Sequence, residues 1–369
     1  MRVTRLRLCS FRNFTREEIS FGPGVNLLVG PNGQGKTNLL EAIYFLGYGR
    51  SFRTAAPREC IRHSEEQAWV GGSVEHGAIV RDLEVAISSV EKRLTVRGKE
   101  VSLEEFVGSL HVLALTSRHL GVVRGGPDER RAFLDRAMLT LYPGHIRHLA
   151  LYSRTLKQRN RLLRLARVRG GRLDQAALES WDEQLVSEGA RIAANRRRYV
   201  AEMKRELTEP LFAGERLEVE YVSSSAVGAG GIEEIEREFR QRLVERRGAD
   251  LRLGFTSVGP HRDELKLALE GRSLADYGSA GQQRSALIAL YFAQMEVHRA
   301  YHGHFPVFLL DDVEAELDAA RLESLLDYLT ERTQTFLTTT KESFVSARGR
   351  RIERYEIRGG TIRRPAATP

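Results

Sequence analysis

The stretch Gly24-Val25-Asn26-Leu27-Leu28-Val29-Gly30-Pro31-Asn32-Gly33-Gln34-Gly35-Lys36-Thr37 restricts this chain to a small set of folds. An apolar run suited to a buried strand ends at Gly30, glycines stand at 30, 33 and 35, and Lys36 opens an amphipathic helix that continues to Leu46. Glycines without Cβ let consecutive N–H groups turn onto one anion, and the positive end of the following helix adds to the attraction. The spacing therefore predicts a phosphate cradle formed by Gly30, Pro31, Asn32, Gly33, Gln34 and Gly35. Lys36 is placed to reach the β- and γ-phosphates of a nucleotide, and the Thr37 hydroxyl to bind Mg²⁺. The bland alternative is a glycine-rich strand-to-helix turn with a surface lysine.

Two further stretches fit the same chemistry. Phe308-Leu309-Leu310-Asp311-Asp312 is an apolar run closed by two acids, as expected of a buried strand whose carboxyl end holds a metal ion. Asp311 would orient Mg²⁺, and Asp312, one residue on, would position or deprotonate the attacking water. Tyr277-Gly278-Ser279-Ala280-Gly281-Gln282-Gln283-Arg284-Ser285 opens a long apolar helix, and small residues with a serine at a helix start make a second anion site or an ordinary cap.

Around these motifs the chain alternates between strand and helix patterns. Residues 2 to 9 read as a strand, Phe11-Arg12-Asn13-Phe14 as a polar turn, and Gly47 to Thr54 as a basic loop. Gln67 to Ser102 carries period-two alternation broken by Glu75-His76-Gly77 and Arg97-Gly98-Lys99, an antiparallel meander. Leu110 to Leu115 is an apolar strand, so strand directions should be mixed. At Gly125-Gly126-Pro127-Asp128-Glu129 a helix starts, and helical composition dominates to about Gly248. Leu251 to Val258 reads as a strand leading to Gly259-Pro260-His261-Arg262-Asp263, where His261 is expected to serve as a hydrogen-bonding loop residue.

Composition matters most for the partner. The net charge is +8 with a pI near 9.6, and seven lysines among 57 basic residues leave arginine dominant, the better residue for phosphate forks. Between Gly144 and Arg172 there are nine Arg/Lys and no acid. Arg147, Arg154 and Arg161 recur every seven residues beside Lys157 and Arg164, while Leu149, Tyr152, Leu156, Leu163 and Ala166 form a separate apolar stripe. Solvated faces normally mix signs, so this one is a candidate nucleic-acid surface. The run Arg196-Arg197-Arg198 lies among acids and is expected to be solvated. Cys9 and Cys60 form no motif, which points to free buried thiols and a cytoplasmic setting, and no run is long enough for a membrane span.

Taken together, Phe11-Arg12-Asn13-Phe14, Gly30 to Thr37, Gly49 to Thr54, Gly125 to Asp135, Gly259 to Leu265, Ser279 to Gln283 and Leu309 to Asp318 resemble the ATP-binding-cassette superfamily. Within it they are similar to the SMC-like DNA-repair ATPases of the RecF family. The resemblance implies an α/β fold: an ABC-type P-loop ATPase head with a mixed sheet, residues 1–117 and 284–369. An inserted, mainly helical arm, residues 118–283, would carry the signature motif at its C-terminal end. It implies that two subunits sandwich two ATP molecules, with Arg12 and the Gly30 to Thr37 loop of one facing Ser279, Gly281 and Gln282 of the other. Ala315 to Asp318 would couple the two sites.

The resemblance further implies an ATP-dependent homodimer on duplex or junction DNA, with single-stranded DNA as an alternative, and RecO and RecR mediators as partners. Departures from the superfamily point towards slow hydrolysis. Thr116-Ser117-Arg118-His119-Leu120 stands where a metal-linked glutamine is usual, Thr340 where transporters carry a switch histidine, and Asp312 where glutamate is the usual base. A transporter ATPase subunit and a P-loop kinase are the competing classes. The basic helical insert counts against the first, and Ser279 to Gln283 is unexplained by the second.

Overall fold

Strand β1 (Arg2–Phe11) buries Val3, Leu6, Leu8 and Phe11, a pattern that skips a step after Val3. A register shift between Val3 and Arg5, in its pairing with β4 (Gln67–His76), restores the alternation. β1 also pairs with β2 (Phe14–Ser20), and β4 continues through β5 (Ile79–Ser88), β6 (Lys92–Val96) and β7 (Lys99–Glu100), all antiparallel. This is one sheet, in the order β2-β1-β4-β5-β6-β7. The computed structural model describes residues 1–142, 144–168, 174–207, 214–226, 228, 230–312, 319–341, 345 and 350–365.

The second sheet is built around β3 (Val25–Val29). It is flanked in parallel by β13 (Thr335–Thr339) and β14 (Ile352–Arg358), and the order is β15-β14-β3-β13-β12-β8 among the described residues. β8 (Val112–Leu115) and β12 (Val307–Leu310) are also parallel, and only the edge strand β15 (Thr361–Arg363) runs the other way. The expected mixture of strand directions is thus distributed over two sheets. Strands buried on both faces read as continuous apolar runs, and all four residues of β12 are buried.

Helix α1 (Lys36–Tyr48) touches strands of both sheets and buries Leu39, Leu40, Ala42, Ile43, Phe45 and Leu46. It is apolar nearly all round rather than amphipathic, as a helix packed between two sheets must be. A left-handed Gly49 at φ 58° ends it, its N–H returning to the Phe45 carbonyl.

The chain divides into two units, Met1–His119 with Met295–Pro369, and Leu120–Gln294. The second contains α3 (Gly121–Arg124), α4 (Pro127–Met138), α5 (His145–Val168), α6 (Gln175–Glu206) and α7 (Ile232–Leu253). Tyr152, Leu185, Val186, Ile192, Phe239, Leu243 and Val258 form a core there, with Leu149 and Leu156 packed on it, so the apolar stripe of α5 faces inward.

Two segments differ from expectation. The expected strand Leu251 to Val258 is not formed: Leu251–Leu253 is the last turn of α7, closed by Gly254 at φ 78°, and residues 254–258 are turn and loop, where the buried Asp250 carboxylate accepts from the N–H and hydroxyl of Ser257. Within the helix-rich stretch, β9 (Leu217–Val222) pairs antiparallel with β10 (Glu264–Leu269), which pairs with β11 (Arg272–Ser273). The signal was the alternation Leu217, Val219, Tyr221. The remaining elements are α2 (Leu103–Val107), α8 (Leu274–Tyr277), α9 (Ala280–His302) and α10 (Ala319–Leu329).

Candidate nucleotide site

The loop from β3 to α1 is shaped for an anion. Gly33 and Gly35 hold φ values of 77° and 117°, the left-handed region that side chains resist. A Cβ on Gly30 would come within 2.2 Å of the Ile357 carbonyl oxygen, so strand packing also requires glycine there. Helix α1 starts with no side-chain cap and no acid in its first turn. Its N-terminal N–H groups are left for a ligand, and the positive end of the helix favours a negative one. The Lys36 ammonium folds back onto the carbonyls of Gly30 (2.6 Å) and Pro31 (3.0 Å) at the lip of this cradle.

The metal-side residues meet as the motifs require. Thr37 Oγ1 lies 2.9 Å from each carboxylate oxygen of Asp311. Asp311 leaves the end of β12, held by its N–H on the Leu115 carbonyl at 3.0 Å. Thr338 joins both acids: its hydroxyl donates to Asp311 (2.7 Å) and accepts from the Asp312 N–H (2.7 Å). Asp312 sits at φ 52°, a conformation Asp tolerates better than most residues, so the chain turns sharply where a water-positioning carboxylate is expected. Thr338 was not visible as a site residue in the sequence. Only the register that sets Leu310 against Leu337 places its hydroxyl beside the acids.

A second layer fixes the cradle. Asn13 donates to the Gln34 carbonyl at 2.8 Å and accepts from Asn38 at 2.8 Å, and Arg53 donates to Asn38 at 2.7 Å. The Gln34 side chain accepts from the Gly359 N–H at 2.6 Å. Arg12, expected to face the nucleotide, turns its guanidinium in a two-toothed grip onto Glu41 (2.8 and 2.6 Å) and donates to the Glu59 carbonyl. Glu41 is fully buried and also receives Arg53 at 3.4 Å and the hydroxyl of Ser51. A lone acid inside the apolar run Leu39–Leu46 was the available signal. Burial, with the nearby Glu41 charge, pushes the Cys60 thiol up to about 12, so it is unreactive. Cys9, expected to be buried, is exposed because it falls on the outer face of β1.

Ser279, Gly281 and Gln282 lie in the second unit. Ser279 and Gln282 form reciprocal bonds, Gln282 N–H to Ser279 Oγ (3.2 Å) and Ser279 N–H to Gln282 Oε1 (2.7 Å), the capping pattern of a helix start. Ser279 is exposed. Gln283 is buried and accepts from Arg124 at 2.6 Å. Ala315 to Asp318 lies outside the described residues.

The basic helix α5 presents two kinds of arginine. Arg147, Arg154, Lys157, Arg161 and Arg164 are exposed, and among the described residues no acid pairs with them. Arg159, in the same run, is fully buried, bound to Asp182 (2.6 Å), Asp250 (2.8 Å) and Thr256 (2.9 Å). Arg196 is likewise buried rather than solvated, gripping Asp135 at 2.9 and 2.8 Å. His261 bonds through both nitrogens, to the Tyr152 hydroxyl (2.7 Å) and the Thr256 carbonyl (3.0 Å), as a structural loop histidine does.

The family model of the RecF/RecN/SMC N-terminal domain matches residues 2–362. The DNA replication and repair protein RecF of Halothermothrix orenii is 38% identical over 355 residues, covering 92% of each chain. That of Myxococcus xanthus is 38% identical over 360 residues, 94% of this chain and 92% of the relative. The chain belongs to the RecF family. Among solved structures, that of the recombination mediator protein RecF-ATPrS in the RecFOR pathway superposes with a TM-score of 0.92 at 32% identity, covering 99% of this chain and 98% of that one. RecF-ATP gives 0.90 at the same identity. An Smc head at 14% identity and a TM-score of 0.51 shares the fold alone.

Proposed function

We propose that this RecF-family chain is an ATP-dependent DNA-binding protein of replication and recombinational repair, working in the cytoplasm as a slow ATPase whose activity DNA stimulates. The observation that carries the reading is the meeting of Thr37 and Asp311 at the mouth of an uncapped, acid-free helix N-terminus. Lys36 and the N–H groups of residues 33–37 hold the phosphates, and Thr37 with Asp311 would hold Mg²⁺. When bound, Mg²⁺ offsets charge on the β- and γ-phosphates. Asp312 orients the attacking water and takes its proton, one methylene short of the usual base, which suits a timed clamp better than rapid turnover.

The first unit acts as the ATPase head and the second as the arm. Ser279, Gly281 and Gln282 are exposed or half-exposed on a helix N-terminus, where they can complete the site of a second copy. The ATP-closed dimer grips duplex DNA or a single-/double-strand junction through arginine-phosphate contacts, supports recombinase loading and the SOS response, and engages RecR and RecO. The solved relatives RecF-ATPrS and RecF-ATP of the RecFOR pathway support the nucleotide and pathway parts of this reading.

Sedimentation velocity with and without ATP and DNA tests it. ATP should produce dimers that retain duplex or gapped DNA, and Lys36→Met should remain monomeric at the same ATP concentration. Monomers under every condition, or dimers that form equally without nucleotide, overturn the proposal.

A further inference from the structure

Five of the chain's ten histidines, His76, His111, His298, His302 and His304, gather at one place in the first unit. Ring centroids of His111, His298 and His302 lie 4.4 to 4.7 Å apart, and one ligand nitrogen from each falls within 4.8 Å of the others. His298 and His302 are four residues apart on α9, the spacing that puts two imidazoles on one helix face over a single ion. From the geometry we infer that His111, His298 and His302 bind a divalent transition metal, with Zn²⁺ the best match, and that His304 or solvent takes the fourth position.

Hydrogen bonding supports the assignment. A carbonyl only accepts, so neutral His298 carries its proton on Nδ1, donating to the His304 carbonyl at 3.0 Å, and its Nε2 bears the lone pair. His304 repeats the pattern, with Nδ1 donating to the His302 carbonyl at 3.0 Å. Its Nε2 is buried with no hydrogen-bond partner among the described residues. Metal-ligating histidines are oriented in this way, one ring nitrogen tied to a backbone carbonyl and the other turned to the ion. His111 Nδ1 stands 2.9 Å from His298 Nε2. Around tetrahedral zinc, ligand nitrogens lie about 3.4 Å apart, so a small separation and the other tautomer of His111 admit the ion.

The cluster is distinct from the nucleotide site. His111 precedes β8 and His304 precedes β12, at the amino ends of paired parallel strands, whereas Asp311 follows the carboxyl end of β12. A four-residue strand separates the two ends by about 13 Å. A metal there would tie the start of β8 to the end of α9, two segments far apart in the chain.

The test uses the full chain without an affinity tag of histidines, stripped with EDTA and titrated with Zn²⁺ against a chromophoric chelator. One equivalent should bind with a Kd below about 1 μM, and saturating Zn²⁺ should raise the thermal midpoint. His302→Ala, at a half-buried helix end, should weaken binding at least about 100-fold and abolish the thermal shift while still binding ATP. The exposed His63→Ala should change neither. X-ray absorption of the zinc-loaded wild type should show scattering from three or more imidazoles, a readout independent of any variant. Less than half an equivalent bound, unchanged affinity in His302→Ala, or an oxygen-dominated shell each overturns the assignment and leaves a stack of neutral histidines.

Discussion

The hydroxyl of Thr37 and the carboxylate of Asp311 touch at 2.9 Å although 274 positions separate them in the chain. The two halves of the proposed metal site are therefore brought together by the pairing of β3, β13 and β12. Thr37→Val keeps the volume and removes the oxygen. Affinity for ATP should fall at least about tenfold with Mg²⁺ present, about 1.4 kcal/mol, and change little in EDTA. A fluorescent ATP analogue titrated under both conditions measures this, and equal losses in the two would detach Thr37 from the metal.

Glu41 is held between Arg12 and Arg53, with its side chain wholly removed from water. Glu41→Gln keeps the shape but leaves the arginines without a counter-charge at a part-buried position. Breaking a buried pair from one side costs about 3–5 kcal/mol, with the lower end expected because Arg12 and Arg53 retain some solvent. The denaturant midpoint reports the loss, and an Arg12→Met, Glu41→Leu double variant should recover part of it. Recovery of nothing would mean that Glu41 is needed by α1 itself rather than by the pair.

The cradle, the acid-ended strand and the basic helix were legible because each depends on local spacing: glycines before a lysine, an apolar run before acids, cations at helical intervals. Thr338, Asn13 and Glu41 were not legible in the same way, since their roles follow from which strand lies beside which. Arg159 and Arg196 show the limit of reading charge along a helix. Both lie in basic runs, yet each is buried because acids from other helices or loops, Asp250 and Asp135 among them, meet it inside the core. The histidine cluster lay in plain view as His298-x-x-x-His302-x-His304, but His111, which completes the trio with His298 and His302, lies far upstream, just before β8.

His261 should make stability depend on acid. Burial lowers its pKa to about 4, from an ordinary value near 6.5. The unfolded chain therefore binds more protons than the folded one between these values, and stability falls as pH drops through that window. The full contribution is present above about pH 6.5, and roughly 3 kcal/mol is lost by pH 4. His261→Gln should flatten this part of the curve when urea midpoints are compared at pH 7.5 and 4.5. An identical slope in the variant would place the acid sensitivity elsewhere.

Asp312 leaves β12 in a left-handed turn, its N–H held by the Thr338 hydroxyl, so the backbone at this position is fixed beside Asp311. Asp312→Asn removes the proposed proton acceptor at constant shape. Single-turnover hydrolysis should slow by about 10²-fold or more, with ATP affinity retained and the proposed ATP-closed dimer lasting longer than in the wild type. Unaltered hydrolysis would take the residue out of the reaction.

Arg147, Arg154 and Arg161 project from α5 without acidic partners among the described residues, while Tyr152 and Leu163 anchor the opposite face in the core. Replacing the three by Ala or Gln leaves that anchoring intact, so folding and ATP affinity should match the wild type. Removing one arginine–phosphate pair should reduce the slope of log K against log salt by about 0.9 on duplex DNA, or about 0.7 on single strands. A triple variant measured from low to physiological salt should thus be weakest relative to wild type at low salt, where counterion release contributes most. Duplex, gapped and single-stranded probes of equal length, run in one series, identify the substrate by which slope changes most. A triple variant whose slopes equal those of the wild type on all three would show that α5 is a solvated face and that DNA lies on another part of the molecule.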